Sequence, residues 1–561
     1  MIGFPETDGG RAAQSWCRRR EAPLFAERGM VAAAHPLTVT TGLAVLQRGG
    51  NAVDAAVAAA LTAAVVMPEV CGLGGDLFAV LHAPAKDGQA GQIVSVHGSG
   101  ISPRGASIED MRAASDDGGR TMPYQGPLSI SVPGMIDAYF TLLERFGSKP
   151  FAEVAEQAIG YAESGYALLS NGAGAIAENA ALFGRFPASA AVFLPGGKAP
   201  KAGELFRQRD LARTLRTISA EGRECFYRGA LATRIVAALR EAGGALSAED
   251  FADHATELTA PLESSYRGYT VYQTGLPTQG LIMLEALNIV ECAELNGTGV
   301  DSAAGIHLLA EAKKRAYADR LGYACDPAFG DTPLSTLLSK EWAAERYAGI
   351  DPNRATDDVP AGALQDGDTT YLSVVDSAGM MVSLIQSVSS AFGSGVVAGE
   401  TGVVLNNRVG RGFSLEAGHV NIYAPGKKTM HTLNCYLIAD QEGAPVLVGG
   451  TPGGDGQPQW NLQAITGMID AGLDVQAAIE LPRWTSWPGT DPMSLDNAFE
   501  LRIEDRAGDE VIGALEERGH RVRRTGHWGG GGAEQIIARN PRTGVLAGGS
   551  DPRVEGLALG Y

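Results

Sequence analysis

The segment DPNRATDDVPAGALQDGD at 351–368 runs directly into TTYLSVVD at 369–376, and the fold is read outward from this junction. The first part is rich in Asp, Pro, Gly and Ala and has no apolar period, which is the composition of a linker. The second has β-strand texture. Ser377-Ala378-Gly379 follows it, then a second β-like run, Met380–Ser387, so the two runs read as a hairpin. A strand that opens on Thr directly after a linker has a chemical consequence. A hydroxyl is a weak nucleophile until a base takes its proton. If the chain is cut after Asp368, Thr369 becomes an N-terminus. Its α-amine, with an ordinary pKa of roughly 7.7–8.0, can then serve as general base to its own hydroxyl.

On the N-terminal side of the junction, residues 1–30 are polar and Arg-rich and read as a flexible leader. Val39–Gln47 ends at Gly49-Gly50, a helix stop, and Ala52–Val66 is apolar on most sides and reads as a buried helix. Leu77–His82 and Gln92–His97 read as strands. Residues 134–350 are mainly helical, with periodic runs at Met135–Arg145, Phe151–Ser164, Leu211–Ser219, Leu231–Ala242 and Gly305–Leu321. Strand-like runs at Pro261–Tyr266 and Tyr269–Gln273 interrupt them. Beyond the hairpin, strands are expected at Val403–Asn406, Tyr436–Ala439, Val446–Val448, Arg521–Arg524 and Gln535–Ala538. Helices are expected at Trp460–Ala471, Val475–Glu480 and Glu510–Arg518. The sum is an α/β or α+β body with sheets between helical layers.

Bulk properties exclude several classes. Among 561 residues, 45 basic against 64 acidic side chains give a net charge of −19, which argues against nucleic acid and anionic membranes as partners. Six scattered cysteines form no CxxC pair, and nine histidines show no ligand spacing, so no metal or other cofactor is expected. Arg18-Arg19-Arg20 is followed by no apolar segment of signal-peptide type, and Ala55–Val66 is too short to span a bilayer, so a soluble, cytoplasmic protein is expected. The glycine runs Gly72-Leu73-Gly74-Gly75 and Gly529–Gly532 do not match the dinucleotide-binding fingerprint.

Several motifs together resemble the gamma-glutamyltranspeptidases. In the C-terminal half they are Thr369–Asp376, Phe392–Asn407, Thr451-Pro452-Gly453-Gly454 and Ser550-Asp551-Pro552-Arg553. In the N-terminal half they are His35-Pro36-Leu37 through Ala56, Gly72–Asp76, Val132-Pro133-Gly134, Phe226-Tyr227-Arg228-Gly229 and Pro277-Thr278-Gln279-Gly280. They occur in the family's order over about residues 30–561. The resemblance implies an N-terminal-nucleophile hydrolase fold, an αββα sandwich with extra helices in the large subunit. It implies a precursor that cuts itself between Asp368 and Thr369 into a large subunit, 31–368 behind the leader, and a small subunit, 369–561. The two remain together as a heterodimer; whether that heterodimer pairs again is left open. Thr369 then attacks an amide carbonyl and forms an acyl-enzyme. Gly453 and Gly454 match the family's oxyanion-hole glycines, Ser387 a Thr that hydrogen-bonds the nucleophile, and Asn407 a strand-end motif lining the pocket.

The residues that read a γ-glutamyl group are changed. After Asn406-Asn407 the family has an acid for the substrate ammonium; here the stretch is Arg408-Val409-Gly410-Arg411. An ammonium has no partner there, whereas a carboxylate does. The family's large-subunit Arg falls at Ser99, its Ser-Ser pair at His431-Thr432, and its acceptor-side Asn near Ser389. The expected activity is hydrolysis, or acyl transfer, of a small carboxylate-bearing amide, oxamate-like, with Arg408 or Arg411 facing the anion. The opposing reading has both arginines solvated at the surface. Two alternatives predict other behaviour: a true γ-glutamyltransferase or glutathione hydrolase, and an unprocessed, non-catalytic binding protein.

Overall fold

Asn51 caps the helix Ala52–Val66, accepting from the Val53 and Asp54 N–H groups while Asp54 accepts from the Asn51 N–H. All fifteen residues of this helix are buried. Its small side chains let it nest between the helices Pro36–Gln47 and Phe151–Ser164 and against the strand Asp368–Asp376. The computed structural model describes residue 20 and residues 22–86, 88, 90–295, 299–356, 368–489 and 498–561.

Two seven-stranded antiparallel sheets form the centre. The first runs, in spatial order, Leu557–Gly560, Gly29–Ala33, Asp368–Asp376, Met381–Ser389, Asp76–Ala83, Gln92–Gly98 and Glu257–Thr259. The second runs Leu24–Ala26, Leu546–Ser550, Gln535–Arg539, Pro445–Gly450, Cys435–Ala439, Tyr269–Gln273 and Leu262–Tyr266. Strand alternation sorts side chains to opposite faces. Tyr371, Val375, Phe78, Val80 and Ile385 of the first sheet meet Leu437, Val448 and Ile537 of the second between the sheets. Leu372, Val374, Leu77 and Ala79 face the Ala52–Val66 helix layer. Val271, Tyr436 and Ile438 face a second helix layer that contains Gly280–Glu291, Ala303–Tyr323 and Gln457–Ile469. This is the expected αββα sandwich. No described helix is long and apolar enough to cross a membrane.

Some boundaries differ from expectation. Leu24–Ala26 and Gly29–Ala33 are strands, so the end of the supposed leader is built into both sheets; residues 1–19 and 21 lie outside the described residues. The apolar run at 403–406 forms isolated bridges to Val397 and Gly74 rather than a ladder. The linker divides: 351–356 is anchored, with the Thr356 N–H donating to Glu311 and Lys314 donating to the Thr356 carbonyl, while 357–367 lies outside the described residues. A small third sheet, Trp484–Trp487, Glu500–Ile503 and Val522–Arg524, stands apart from the sandwich.

Candidate active site

Four neighbouring strands of the first sheet bring the candidate residues to one end. Thr369 is the second residue of Asp368–Asp376 and is 3% exposed. Pairing with the next strand slips here: Asp368 stands opposite Ser389 and Thr370 opposite Gln386, so Thr369 faces both Ser387 and Val388. A bulge of this kind re-aims side chains at the end of a ladder. Ser387 stands opposite Asp76 on the third strand. On the fourth, Gly98 pairs with Leu77, which puts Ser99 just beyond the end of the ladder. The register thus lines up Thr369, Ser387, Asp76 and the start of the Ser99 loop.

Glycines beneath the row permit this closeness. A Cβ on Gly74 would lie 2.2 Å from the Val404 carbonyl oxygen, and one on Gly75 would lie 2.3 Å from that of Ser387. The run Gly72–Gly75 is therefore a packing device for the strand end. Ser387 Oγ accepts the Ser389 N–H at 2.7 Å. Ser389 itself has a φ of +91°, a strained value for a residue with a side chain, and its carbonyl accepts from Arg411 at 3.3 Å.

Neither arginine is at the surface. Arg408 and Arg411 lie on the short helix Arg408–Gly412 and both are buried, which overturns the solvated reading. Arg408 is not a free cation awaiting an anion either: its Nε donates to Asp76 Oδ2 at 2.8 Å. Burial pushes the Asp76 carboxyl up to about 6 despite this partner. Asn407 spends its side chain on the protein, accepting the Ser390 N–H and donating to the Tyr124 carbonyl and to Ser390 Oγ. It shapes the loop after the second strand. His431 packs its ring on Phe78 with centroids 4.9 Å apart, and Nδ1 is 4.0 Å from Asp76 Oδ2. Burial, then the cations Arg408 and Lys428, hold its pKa well below the usual value, so the ring is neutral.

One property unites this end of the sheet. Asp76 Oδ1, Ser99 Oγ, Ser389 Oγ, Arg408 Nη2, His431 Nδ1 and Thr432 Oγ1 are buried and find no hydrogen-bond partner among the described residues. Native proteins pair almost all such atoms. Those of Asp76 and Arg408 belong to one ion pair, and His431 lies against the same carboxylate.

Gly453 and Gly454 follow the strand Pro445–Gly450 with φ values of +122° and +54°. They open a turn into the helix Gln457–Ile469, whose first N–H groups favour negative charge. Gly453 lies on the Trp460 ring; a Cβ there would be 2.1 Å from Cζ3. Gln279, part of a quoted motif to which sequence reasoning assigned no role, ties this turn to the ligand end by donating to the Gly454 and Thr432 carbonyls. Arg320 donates to Gln279 Oε1 and to Asp455 Oδ1, which orients both. Arg320 carried no sequence signal beyond a helical position. The Ser550–Arg553 motif proves to be an anchor: buried Arg553 bonds Asp551 and Glu504.

A cavity of about 740 Å³ opens on Thr369. Its wall includes Pro452, Gly453 and Trp460 beside the turn, and Arg502, Arg523 and Gly529–Gly532 farther out. Ser387, Asn407, Arg408, Arg411, His431 and Thr432 are not part of its lining. Thr369 therefore lines this cavity and, by strand register, stands beside Ser387, whose other neighbour is Asp76. Elsewhere, His307, Glu311 and His520 bring three possible metal-ligand atoms within 4.8 Å of one another. Glu311 is already paired with Lys314 and Arg315, and His307 Nδ1 bonds His520 Nε2 at 2.8 Å. That cluster reads as the clamp on 351–356, since His307 also bonds the Asp351 carbonyl.

Comparison with known proteins agrees with the fold. The gamma-glutamyltranspeptidase family model matches residues 38–561. The chain is 38% identical to the glutathione hydrolase-like YwrD proenzyme of Bacillus subtilis, over 95% of this chain and 98% of the relative. It is 35% identical to the oxamate amidohydrolase proenzyme of Klebsiella pneumoniae, with the same coverage of both chains. The crystal structure of a cephalosporin acylase from Bacillus halodurans superposes with a TM-score of 0.88 at 33% identity, covering 100% of this chain and 99% of the other. The chain belongs to the gamma-glutamyltranspeptidase family of N-terminal-nucleophile amidohydrolases.

Proposed function

We propose that the protein cuts its own chain between Asp368 and Thr369 and then uses Thr369 to hydrolyse a small, carboxylate-bearing amide of oxamate type. In processing, the Thr369 hydroxyl adds to the Asp368 carbonyl, the peptide C–N bond breaks, and water opens the resulting ester. The freed α-amine becomes the base for turnover. It takes the Thr369 hydroxyl proton as the oxygen attacks the substrate carbonyl, and returns it to the departing nitrogen. Water then repeats the attack on the acyl ester. The N–H groups of Gly453 and Gly454 receive the developing oxyanion; fixed backbone donors need no reorganisation as charge appears. The subunits 31–368 and 369–561 stay together because both sheets contain strands from each.

The observation that carries the acyl-group assignment is the cluster of unpaired buried atoms, Ser99 Oγ, Ser389 Oγ, Arg408 Nη2, His431 Nδ1 and Thr432 Oγ1. A compact acyl group rich in acceptor oxygens satisfies hydroxyls and a guanidinium together. The relative named oxamate amidohydrolase supports the same class. A γ-glutamyl group needs an unpaired acid for its ammonium. Asp76 is the acid at this strand end; Arg408 holds its Oδ2, and only Oδ1 has no hydrogen-bond partner among the described residues.

The test is intact mass spectrometry of the wild type beside Thr369→Ala, followed by an amide panel led by oxamate and glutathione. Two fragments meeting at Asp368/Thr369, an uncut variant and ammonia release from oxamate are expected. A wild type that remains a single chain after long incubation refutes self-processing and favours the non-catalytic reading. Glutamate release from glutathione with oxamate inert refutes the acyl assignment alone.

A further inference from the structure

The cavity on Thr369 is lined by side chains that the acyl chemistry does not use. The three-stranded sheet forms its far wall. Thr485 pairs with Arg502 in the antiparallel ladder, and Arg502 pairs with Arg523 in the parallel one, so the three stand in a row across the sheet. All three line the cavity, with Arg524 and Thr525 at its edge.

Two arginines directly opposite one another across a ladder repel, and such pairs are destabilising unless an anion lies between them. Among the described residues a single carboxylate serves both: Glu500 Oε1 is 2.7 Å from Arg502 Nε and 3.8 Å from Arg523 Nη1. Among the described residues the pair therefore keeps one positive charge in excess. Arg502 is fixed by stacking its guanidinium 4.7 Å from the Trp487 ring centroid. Thr485 Oγ1 accepts the Trp460 indole N–H at 3.0 Å, which leaves its own hydroxyl hydrogen for another acceptor. The row thus offers two guanidiniums and a hydroxyl; of the other two arginines in the lining, Arg483 is paired with Asp551 and Glu534, and Arg524 with Asp509 and Asp505.

Trp460 connects this wall to the chemistry. One face of its ring supports Gly453, and its N–H holds Thr485. The loop Gly529–Gly532 closes over the same ring: a Cβ on Gly531 or Gly532 would lie 2.6 Å from a Trp460 carbon. The glycine run that matched no nucleotide fingerprint is thus a cover for the cavity. Its volume suits a ligand of drug-like size, larger than the ammonia that oxamate would release.

We infer that this cavity receives the amine half of the substrate, and that the Thr485–Arg502–Arg523 row recognises a carboxylate on that amine. The assignment of the amine half rests on Thr369 as nucleophile. The natural substrate then joins a small polar acyl group to a carboxylated amine, such as an amino acid or a short peptide. The reaction releases that amine as an amino carboxylate.

The experiment compares two chromogenic amines, 5-amino-2-nitrobenzoate and 4-nitroaniline, by equilibrium dialysis against the purified full-length protein at low salt. The carboxylated amine is expected to bind about tenfold more tightly, one charge-assisted hydrogen-bond pair's worth. The preference shrinks with added salt, because the pair is partly exposed. In R502Q/R523Q the ratio of the two affinities falls to about one, in R502K/R523K most of it returns, and in R523E it inverts. Arg523 is largely exposed, so R523E tests the idea even where the double variant folds poorly. Equal affinities in the wild type, binding of neither amine, or a ratio that survives R502Q/R523Q overturns the inference. Binding requires no turnover. Intact mass of the same samples reads cleavage at Asp368/Thr369 separately, so failure of the nucleophile assignment and failure of the carboxylate site are distinguishable.

Discussion

Replacing Gly453 by Ala tests the oxyanion assignment most directly. The new methyl would lie 2.1, 2.7 and 3.3 Å from three ring carbons of Trp460. Ordinary carbon–carbon contacts are about 3.5–4.0 Å, so ring or turn must move by more than about 1 Å. Trp460 is buried, carries the Arg483 guanidinium 5.7 Å from its ring centroid, and donates to Thr485, so the turn yields first. The backbone φ of +122° adds about 1–3 kcal/mol of strain for any side chain. Displacing reacting geometry by about 1 Å costs on the order of 100-fold, and losing one oxyanion donor costs about 10²–10³ in kcat. The expected result is a kcat lower by at least about 100-fold on the best amide of the panel, with KM changed much less. Self-cleavage, followed by intact mass over time, slows in parallel because it passes through the same oxyanion. Gly456→Ala is the comparator. Its Cβ meets the same ring at 2.3 Å from an unstrained backbone, and its N–H is already committed to the Gly453 carbonyl. If disturbance of Trp460 alone were responsible, both variants would lose equal activity. A folded Gly453→Ala protein that keeps kcat within about threefold of wild type would falsify the proposed hole.

Other perturbations probe different parts of the site. Thr369→Ser keeps a primary-amine-plus-hydroxyl nucleophile and is expected to process and turn over, more slowly, whereas Thr369→Ala stays one chain; an uncut Ser variant would count against the hydroxyl as the sole requirement. Asp76 is raised from 3.8 to about 6 by burial, so its contribution to folding stability is present below the ordinary carboxylate range and is lost as pH rises through about 6. Below that point Arg408 lacks an ionised partner, so inhibition by oxamate strengthens on acidification through pH 6; Asp76→Asn removes this pH dependence, and an unchanged pH profile in the variant refutes the role. Arg553→Gln removes one of two arginine partners from each of the buried acids Asp551 and Glu504, which keep Arg483 and Arg506, and lowers stability by about 2–3 kcal/mol, read by chemical denaturation. Both acids are held below their usual pKa, chiefly by arginines working against burial, so the stability they contribute is present at neutral pH and lost as pH falls through the depressed values. In Arg553→Gln that acid loss begins at higher pH; a variant as stable as wild type at every pH removes the anchor reading.

Local patterning carried the fold a long way. The helix Ala52–Val66 was readable to the residue because its cap, its capping-box acid and its apolar run lie within sixteen consecutive positions. The hairpin after residue 368 was readable because its turn and both its strands are contiguous. Leu24–Ala26 and Gly29–Ala33 were missed for the opposite reason. Each is a short strand whose partner lies hundreds of residues away, at Leu546–Ser550 and at Asp368–Asp376 with Leu557–Gly560. A window that slides along the chain has no access to such pairing.

By itself, the sequence determined the layered fold, the family and the candidate nucleophile, because periodicity and motif order are written along the chain. It also gave the expectation of a rewritten acyl-reading end, through Ser99, Arg408 and His431. Only the tertiary structure decided what those residues do. Arg408 meets Asp76 across 332 positions, so a cation that looked available for substrate is half neutralised by the protein. The slip that aims Thr369 at Ser387 and Val388 exists only once two strands are in register. The row Thr485, Arg502 and Arg523 is invisible along the chain, since its members become neighbours only when a third sheet assembles. A charge's role depends on which partners burial leaves within hydrogen-bonding reach, and those partners are chosen by packing rather than by sequence distance.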